Sequence, residues 1–130
     1  MTPTGTIRIV MAEDCATDAE LAGYALRRAG IDAQLVVTAT EAEMRAALRE
    51  GADIVISDNT MPGFSGLQAR TIARELAPRT PFIVLSGSVS EHAVPTTEQT
   101  AQALPGVAAW LDKRDLHRLG EVVRKLLAAR

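Results

Sequence analysis

The chain has 130 residues, enough for one domain with a sizeable core. Its hydrophobic fraction of 47% is ordinary for a globular protein and argues against a disordered chain. Its net charge of −2, from 14 basic and 16 acidic residues, gives no electrostatic case for a nucleic-acid or anionic-membrane partner. No apolar run approaches the ~20 residues of a membrane span. The opening MTPTGTIRIV lacks the charged and long apolar regions of a secretory signal. Cys15 is alone, which excludes an internal disulfide and fits a reducing compartment, so a cytoplasmic location is expected.

In chain order, Ile7 to Met11 is the first apolar run. Thr17-x-x-Glu20 then has the form of a capping box, and Gly30 sits where the following helix must stop. Ala33 to Val37 is the second run, followed by a second box, Thr40-x-x-Glu43, and a second stop at Gly51. Ile54 to Ser57 leads into Asp58, a Pro62-Gly63 turn and a third box, Ser65-x-x-Gln68. Phe82 to Ser86 is the fourth run. The stretch from Ser86 to Val107 breaks the rhythm. It holds two further box patterns, Ser88-x-x-Glu91 and Thr96-x-x-Gln99, and Pro95 interrupts any helix begun at the first. A long or broken connection is expected there, with a short helix over about residues 97–104. Val107 to Leu111 is the fifth run, and Leu116, Leu119, Val122, Val123, Leu126 and Leu127 mark one face of a closing amphipathic helix.

The runs are continuous rather than alternating, as in strands buried on both faces of a parallel sheet. Five of them alternating with helical segments predict a three-layer α/β sandwich, one domain over residues 1–130, with no output domain.

In an open parallel sheet, ligands bind beyond the carboxyl ends of the strands. Those ends carry Glu13 and Asp14, then Asp58, then Ser86, then Lys113. Three carboxylates brought to one edge repel one another unless a cation joins them. Hard oxygen ligands with room for water suit Mg²⁺, whereas zinc is disfavoured, because Cys15 is isolated and His92 and His117 lie on late segments. A carboxylate can attack a phosphoryl group and become an aspartyl phosphate. Mg²⁺ and Lys113 would neutralise the phosphoryl oxygens, with a hydrogen bond from Ser86. Each residue also has a bland reading. Asp58 can be a turn aspartate, Glu13 and Asp14 a loop before a helix, Ser86 a small strand-closing residue, Lys113 a surface lysine and Trp110 a core or interface aromatic.

Four stretches, MAEDCATD (11–18), VISDNTMPGFSGL (55–67), IVLSGS (83–88) and AAWLDKRDL (108–116), stand in this order, each at a predicted strand end. Together they resemble a response-regulator receiver domain across the whole chain. The resemblance implies a flavodoxin-like (βα)5 fold with strand order 2-1-3-4-5. It implies Asp58 as phosphoacceptor, and Glu13, Asp14, Asp58 and the backbone carbonyl of Thr60 as ligands of Mg²⁺. Ser86 becomes the switch hydroxyl, Lys113 the phosphate-contacting lysine and Trp110 the counterpart of a switch tyrosine or phenylalanine. Three departures stand out. Arg114 replaces the usual proline after the lysine, Trp110 is larger than the usual aromatic, and Ser86 to Lys113 is longer than the family norm.

The implied function is that of a stand-alone or hybrid-kinase-type receiver. It takes phosphate from a sensor histidine kinase or a histidine phosphotransfer protein onto Asp58. It assists its own phosphorylation and dephosphorylation without separate turnover, and it signals by a conformational shift and contact with a downstream protein. Self-association would use the 97–129 face. Two alternatives are a receiver-like binding module that is not phosphorylated, and a phosphatase with an aspartyl-phosphate intermediate like the haloacid-dehalogenase superfamily. The second lacks the usual second aspartate two residues after the nucleophile, where Thr60 stands.

Overall fold

The structure, a computed structural model, describes residues 6–58, 66–86 and 107–129. Five strands, β1 (Ile7–Ala12), β2 (Ala33–Thr38), β3 (Ile54–Asp58), β4 (Phe82–Ser86) and β5 (Ala109–Asp112), form one sheet. All pairings are parallel and the order is β2-β1-β3-β4-β5. Helices α1 (Ala16–Arg28), α2 (Glu41–Arg49) and α3 (Gly66–Leu76) make the crossovers, and a C-terminal helix, Leu119–Ala128, closes the chain. This is the flavodoxin-like order 2-1-3-4-5 expected above. The helix expected over about 97–104, the capping patterns at Ser88 and Thr96, and Ser65 of the third box lie outside the described residues. So does part of the 97–129 face. No helix among the described residues is long and apolar enough to cross a membrane.

The two-residue period of the strands sorts the core into two halves. Ile9 and Met11, Ile54 and Ile56, Ile83 and Leu85, and Leu111 pack with Leu26 of α1 and with Leu119 and Val123 of the C-terminal helix. Val10, Val55, Phe82 and Val84 face the other way, onto Met44 and Leu48 of α2 and Ile72 of α3. Both faces of the central strands are therefore covered, which is why β3 and β4 read as unbroken apolar runs. β2 does not fit that expectation. It is the sheet edge, and Gln34 and Val37 are exposed, Val37 at 45%.

Local signals held unevenly. Thr40 caps α2, its Oγ1 accepting from the Glu43 N–H at 3.1 Å, and Glu43 reaches back to accept from the Ala39 N–H at 2.7 Å. Gly30 and Gly51 end their helices with φ of 81° and 98°, a left-handed conformation that costs glycine nothing. The box at Thr17 is not used. α1 begins earlier, with Cys15 at its N-cap and no side-chain cap bond, so Thr17 lies inside the first turn. β5 begins at Ala109 rather than Val107. The closing segment opens as a 3₁₀ turn over Lys113–Arg118, so Leu116 packs against the core from that turn rather than from the helix.

The C-terminal helix crosses α1 closely at Gly120. A Cβ there would run into the Ala29 Cβ and lie 3.5 Å from Ile31 Cδ1. Gly120→Ala gains about 1 kcal/mol of helix propensity. Overpacking costs about 1–3 kcal/mol, and backbone-anchored Ala29 has little room to give. We expect a net loss of up to about 2 kcal/mol in the urea unfolding free energy; a raised midpoint would contradict this packing.

Candidate functional site

Register places the polar residues. Ala12 pairs with Ser57, so Glu13 follows beside Asp58; Asp58 pairs with Leu85, and Leu85 with Leu111. Glu13, Asp58 and Lys113 each stand two residues beyond a core residue of the α1 face, namely Met11, Ile56 and Leu111. The same alternation that buries those three apolar side chains stacks the three charged ones above them. Ser86 and Trp110 have the opposite parity. Ser86 ends β4, one residue past the partner of Asp58, and is buried. Trp110 pairs with Val84, two residues short of the sheet end, and packs on the α2/α3 face. Of its two sequence readings, switch aromatic or core aromatic, its packing is that of a partly buried core aromatic. Thr60 lies outside the described residues.

The cluster is compact. Glu13 is 1% exposed and Asp58 3%, while Asp14 is exposed. Carboxylate oxygens of Glu13, Asp14 and Asp58 all lie within 4.8 Å of one another. Lys113 Nζ donates to Glu13 Oε1 at 3.0 Å and to Asp18 Oδ2 at 2.7 Å, and lies 3.3 Å from Asp58 Oδ2. Glu13 Oε2 also accepts from the Cys15 N–H at 3.2 Å. Three acidic side chains thus meet one ammonium, with Asp14 grouped beside two of them. Burial, joined by a hydrogen bond to Asp58, pushes the Glu13 carboxyl up to about 7 against the opposing pull of Lys113. Burial alone would lower Lys113, but hydrogen bonds to Asp18 and Glu13 and attraction to Asp58 outweigh it, so its ammonium is held more tightly than usual. An all-oxygen, net-negative group that retains a proton near neutrality suits a hard divalent cation in place of that proton. The donor set fits Mg²⁺.

Asp18 was not anticipated. It lies in the first turn of α1, where an acid is ordinarily read as a dipole-stabilised surface residue. The available signal was its position four residues after Asp14, one helical turn above the strand end.

Arg114 explains its departure from proline. Its N–H donates to Asp112 Oδ1 at 2.8 Å, closing the cap of the 3₁₀ turn, and its guanidinium grips the same carboxylate at 3.1 and 2.8 Å. Proline has no N–H to make that cap. These bonds hold the Asp112 carboxyl below the usual range, and no described peptide bond is cis.

No protein-family model and no curated protein matches the sequence. Solved structures do match. The receiver domain of AraT, a response regulator from Geobacillus stearothermophilus, is similar at a TM-score of 0.73 and 26% identity, over 96% of this chain and 95% of that one. The receiver domain of the sensor histidine kinase PA1611 from Pseudomonas aeruginosa PAO1 matches at a TM-score of 0.73 and 18% identity, over 95% and 99% of the two chains; that structure has a magnesium ion coordinated in its active-site cleft. The response-regulator domain of Thermotoga maritima CheB matches at a TM-score of 0.74 and 21% identity, over 95% and 98%. The resemblance to response-regulator receiver domains is therefore borne out, and it spans nearly the whole chain.

The raised Glu13 carboxyl makes stability depend on pH. The unfolded carboxyl releases its proton near 4.5 and the folded one near 7. Its stabilising contribution is thus complete below about 4.5 and is lost as pH rises through about 7. In chelator-treated protein, the wild type should lose stability relative to Glu13→Gln between about pH 5 and pH 8, read as urea midpoints. Parallel profiles for the two proteins would contradict the buried, proton-holding Glu13.

Proposed function

We propose that the chain accepts a phosphoryl group on Asp58 from a sensor histidine kinase or a histidine phosphotransfer protein. The observation that carries this reading is the placement of Asp58. It is a nearly buried carboxylate at a strand end, 3.3 Å from an ammonium and grouped with two further acids. An Asp58 oxygen attacks the phosphorus, and the bond to the donor breaks with the electron pair leaving on the donor, a histidine nitrogen in a protein partner. The product is an acyl phosphate on Asp58.

Glu13, Asp14 and Asp58 would hold Mg²⁺, with the Thr60 carbonyl added by resemblance. When bound, the ion supplies charge neutralisation at the phosphoryl oxygens. Lys113, 3.3 Å from Asp58, supplies the remaining positive charge. The Ser86 hydroxyl, one residue past the register partner of Asp58, is assigned a hydrogen bond to a phosphoryl oxygen. Charge that develops in transfer is thus met by donors already in place. A site with little covalent chemistry to perform has no stronger means of lowering the barrier.

The chain acts as a single receiver over residues 1–130, in the cytoplasm, and passes its state on by contact with a downstream protein. Trp110 is assigned a place in that switch because it stands on β5, three residues before Lys113 and on the face opposite the acids. Loss of the phosphoryl group proceeds by water at the same site, so the chain assists its own dephosphorylation without acting on a separate substrate.

Incubation with acetyl phosphate and Mg²⁺, followed by intact mass, tests this directly. One phosphoryl adduct should form, only with Mg²⁺ present, and Asp58→Asn should abolish it. Lys113→Ala should slow its formation on the order of a hundredfold, as loss of a preorganised charge does elsewhere. An adduct that survives in Asp58→Asn, or forms at full rate without a divalent cation, would overturn the reading.

A further inference from the structure

We propose that Asp18 is a positioning residue that fixes the Lys113 ammonium with one of its three donors left for Asp58, a role that rests on the phosphoacceptor reading of the site.

The distances carry it. Lys113 Nζ makes short bonds to Asp18 at 2.7 Å and to Glu13 at 3.0 Å, whereas its 3.3 Å approach to Asp58 is a looser ion pair. An ammonium has three donors and sits on a flexible four-carbon stem. One anchor, Glu13, leaves it free to pivot about that bond. A second anchor removes the pivot, so the remaining donor stays on the Asp58 side. Both bonds are charge-assisted and therefore worth more than neutral ones.

Asp18 is built to serve as that anchor. It stands in the first turn of α1, and Ala19, Ala22 and Leu26 of that helix are packed into the core, so the carboxylate is presented from a rigid element. It is not part of the group of three acids that can share a cation. Its side chain is 36% exposed, against 0% for Glu13. A surface acid of a first helical turn would serve the helix dipole from solvent. Asp18 instead reaches a lysine 95 residues later in the chain. Preorganisation of this kind acts on the rate of transfer more than on capture of the donor, since a misplaced charge is costly only as the transition state forms.

The test uses the full chain and two readouts. In ¹⁵N-labelled, Mg²⁺-free protein, the hydrogen-bonded Lys113 ammonium should give a slowly exchanging resonance, assigned by its absence in Lys113→Ala. Asp18→Asn should abolish that resonance while the backbone amide spectrum stays folded. With acetyl phosphate and Mg²⁺, Asp18→Asn should lower the maximal phosphorylation rate on the order of tenfold without raising the half-saturating donor concentration. Asp18→Glu should recover part of the rate. In the Lys113→Ala background, Asp18→Asn should have no further effect, because a residue that acts through Lys113 has nothing left to act on. A retained ammonium resonance in Asp18→Asn, an unchanged or faster rate, or an equal loss in the Lys113→Ala background would each overturn the role. If the wild type forms no adduct at all, the phosphoacceptor reading fails, and the ammonium resonance alone then decides whether Asp18 anchors Lys113.

Discussion

One ammonium holds the functional edge of this molecule together. Lys113 Nζ lies within 3.3 Å of carboxylate oxygens from β3, from the end of β1 and from α1. Burying Glu13 and Asp58 side by side costs several kcal/mol unless the charge is met. The cluster meets it through the lysine and the Cys15 N–H, and burial raises the affinity of Glu13 for a proton. The remaining negative charge suits the edge to a cation, and under the proposed function the same charge would repel an anionic phosphodonor until a cation is present. On the proposed reading, assembly of the edge, metal binding and phosphoryl transfer would all follow from this one unbalanced group of charges.

That group exists because the sheet is parallel. All five strands point their carboxyl ends to the same edge, and the period-two alternation carries Glu13, Asp58 and Lys113 out of the core on one face. Register does the rest, since a one-residue slip of β3 would turn Asp58 to the α2/α3 face and bring Ser57 forward. The packing of Ile54 and Ile56 against α1 and the C-terminal helix thus fixes the placement of Asp58 as well as the fold.

Much of this was legible in the sequence. Continuous apolar runs marked β3 and β4 because both faces of those strands are covered, and Asp58 and Lys113 followed from standing just past such runs. The strand order came from the family resemblance, because apolar patterning carries no information about which strands are neighbours. β2 was misread as fully covered, since an edge strand built from Leu35, Val36 and Val37 is locally indistinguishable from a central one. The unused box at Thr17 shows the same limit. A capping pattern states that a helix can start, while packing of Ala19 and Ala22 against the sheet decides where it does. Asp18 was invisible for a further reason. Its bond to Lys113 spans 95 residues and depends on how α1 sits over the strand ends, which no local pattern encodes. Strand parity puts Trp110, the counterpart of a switch aromatic by resemblance, on the face opposite Glu13, Asp58 and Lys113.

The central claim is that Asp58 itself carries the phosphoryl group. The most direct measurement is to phosphorylate the protein with acetyl phosphate and Mg²⁺, reduce the acyl phosphate with borohydride, and map the peptides by mass. Homoserine should appear at position 58 and nowhere else. An unmodified Asp58 peptide alongside a reduced Glu13, Asp14 or Asp18 would contradict it.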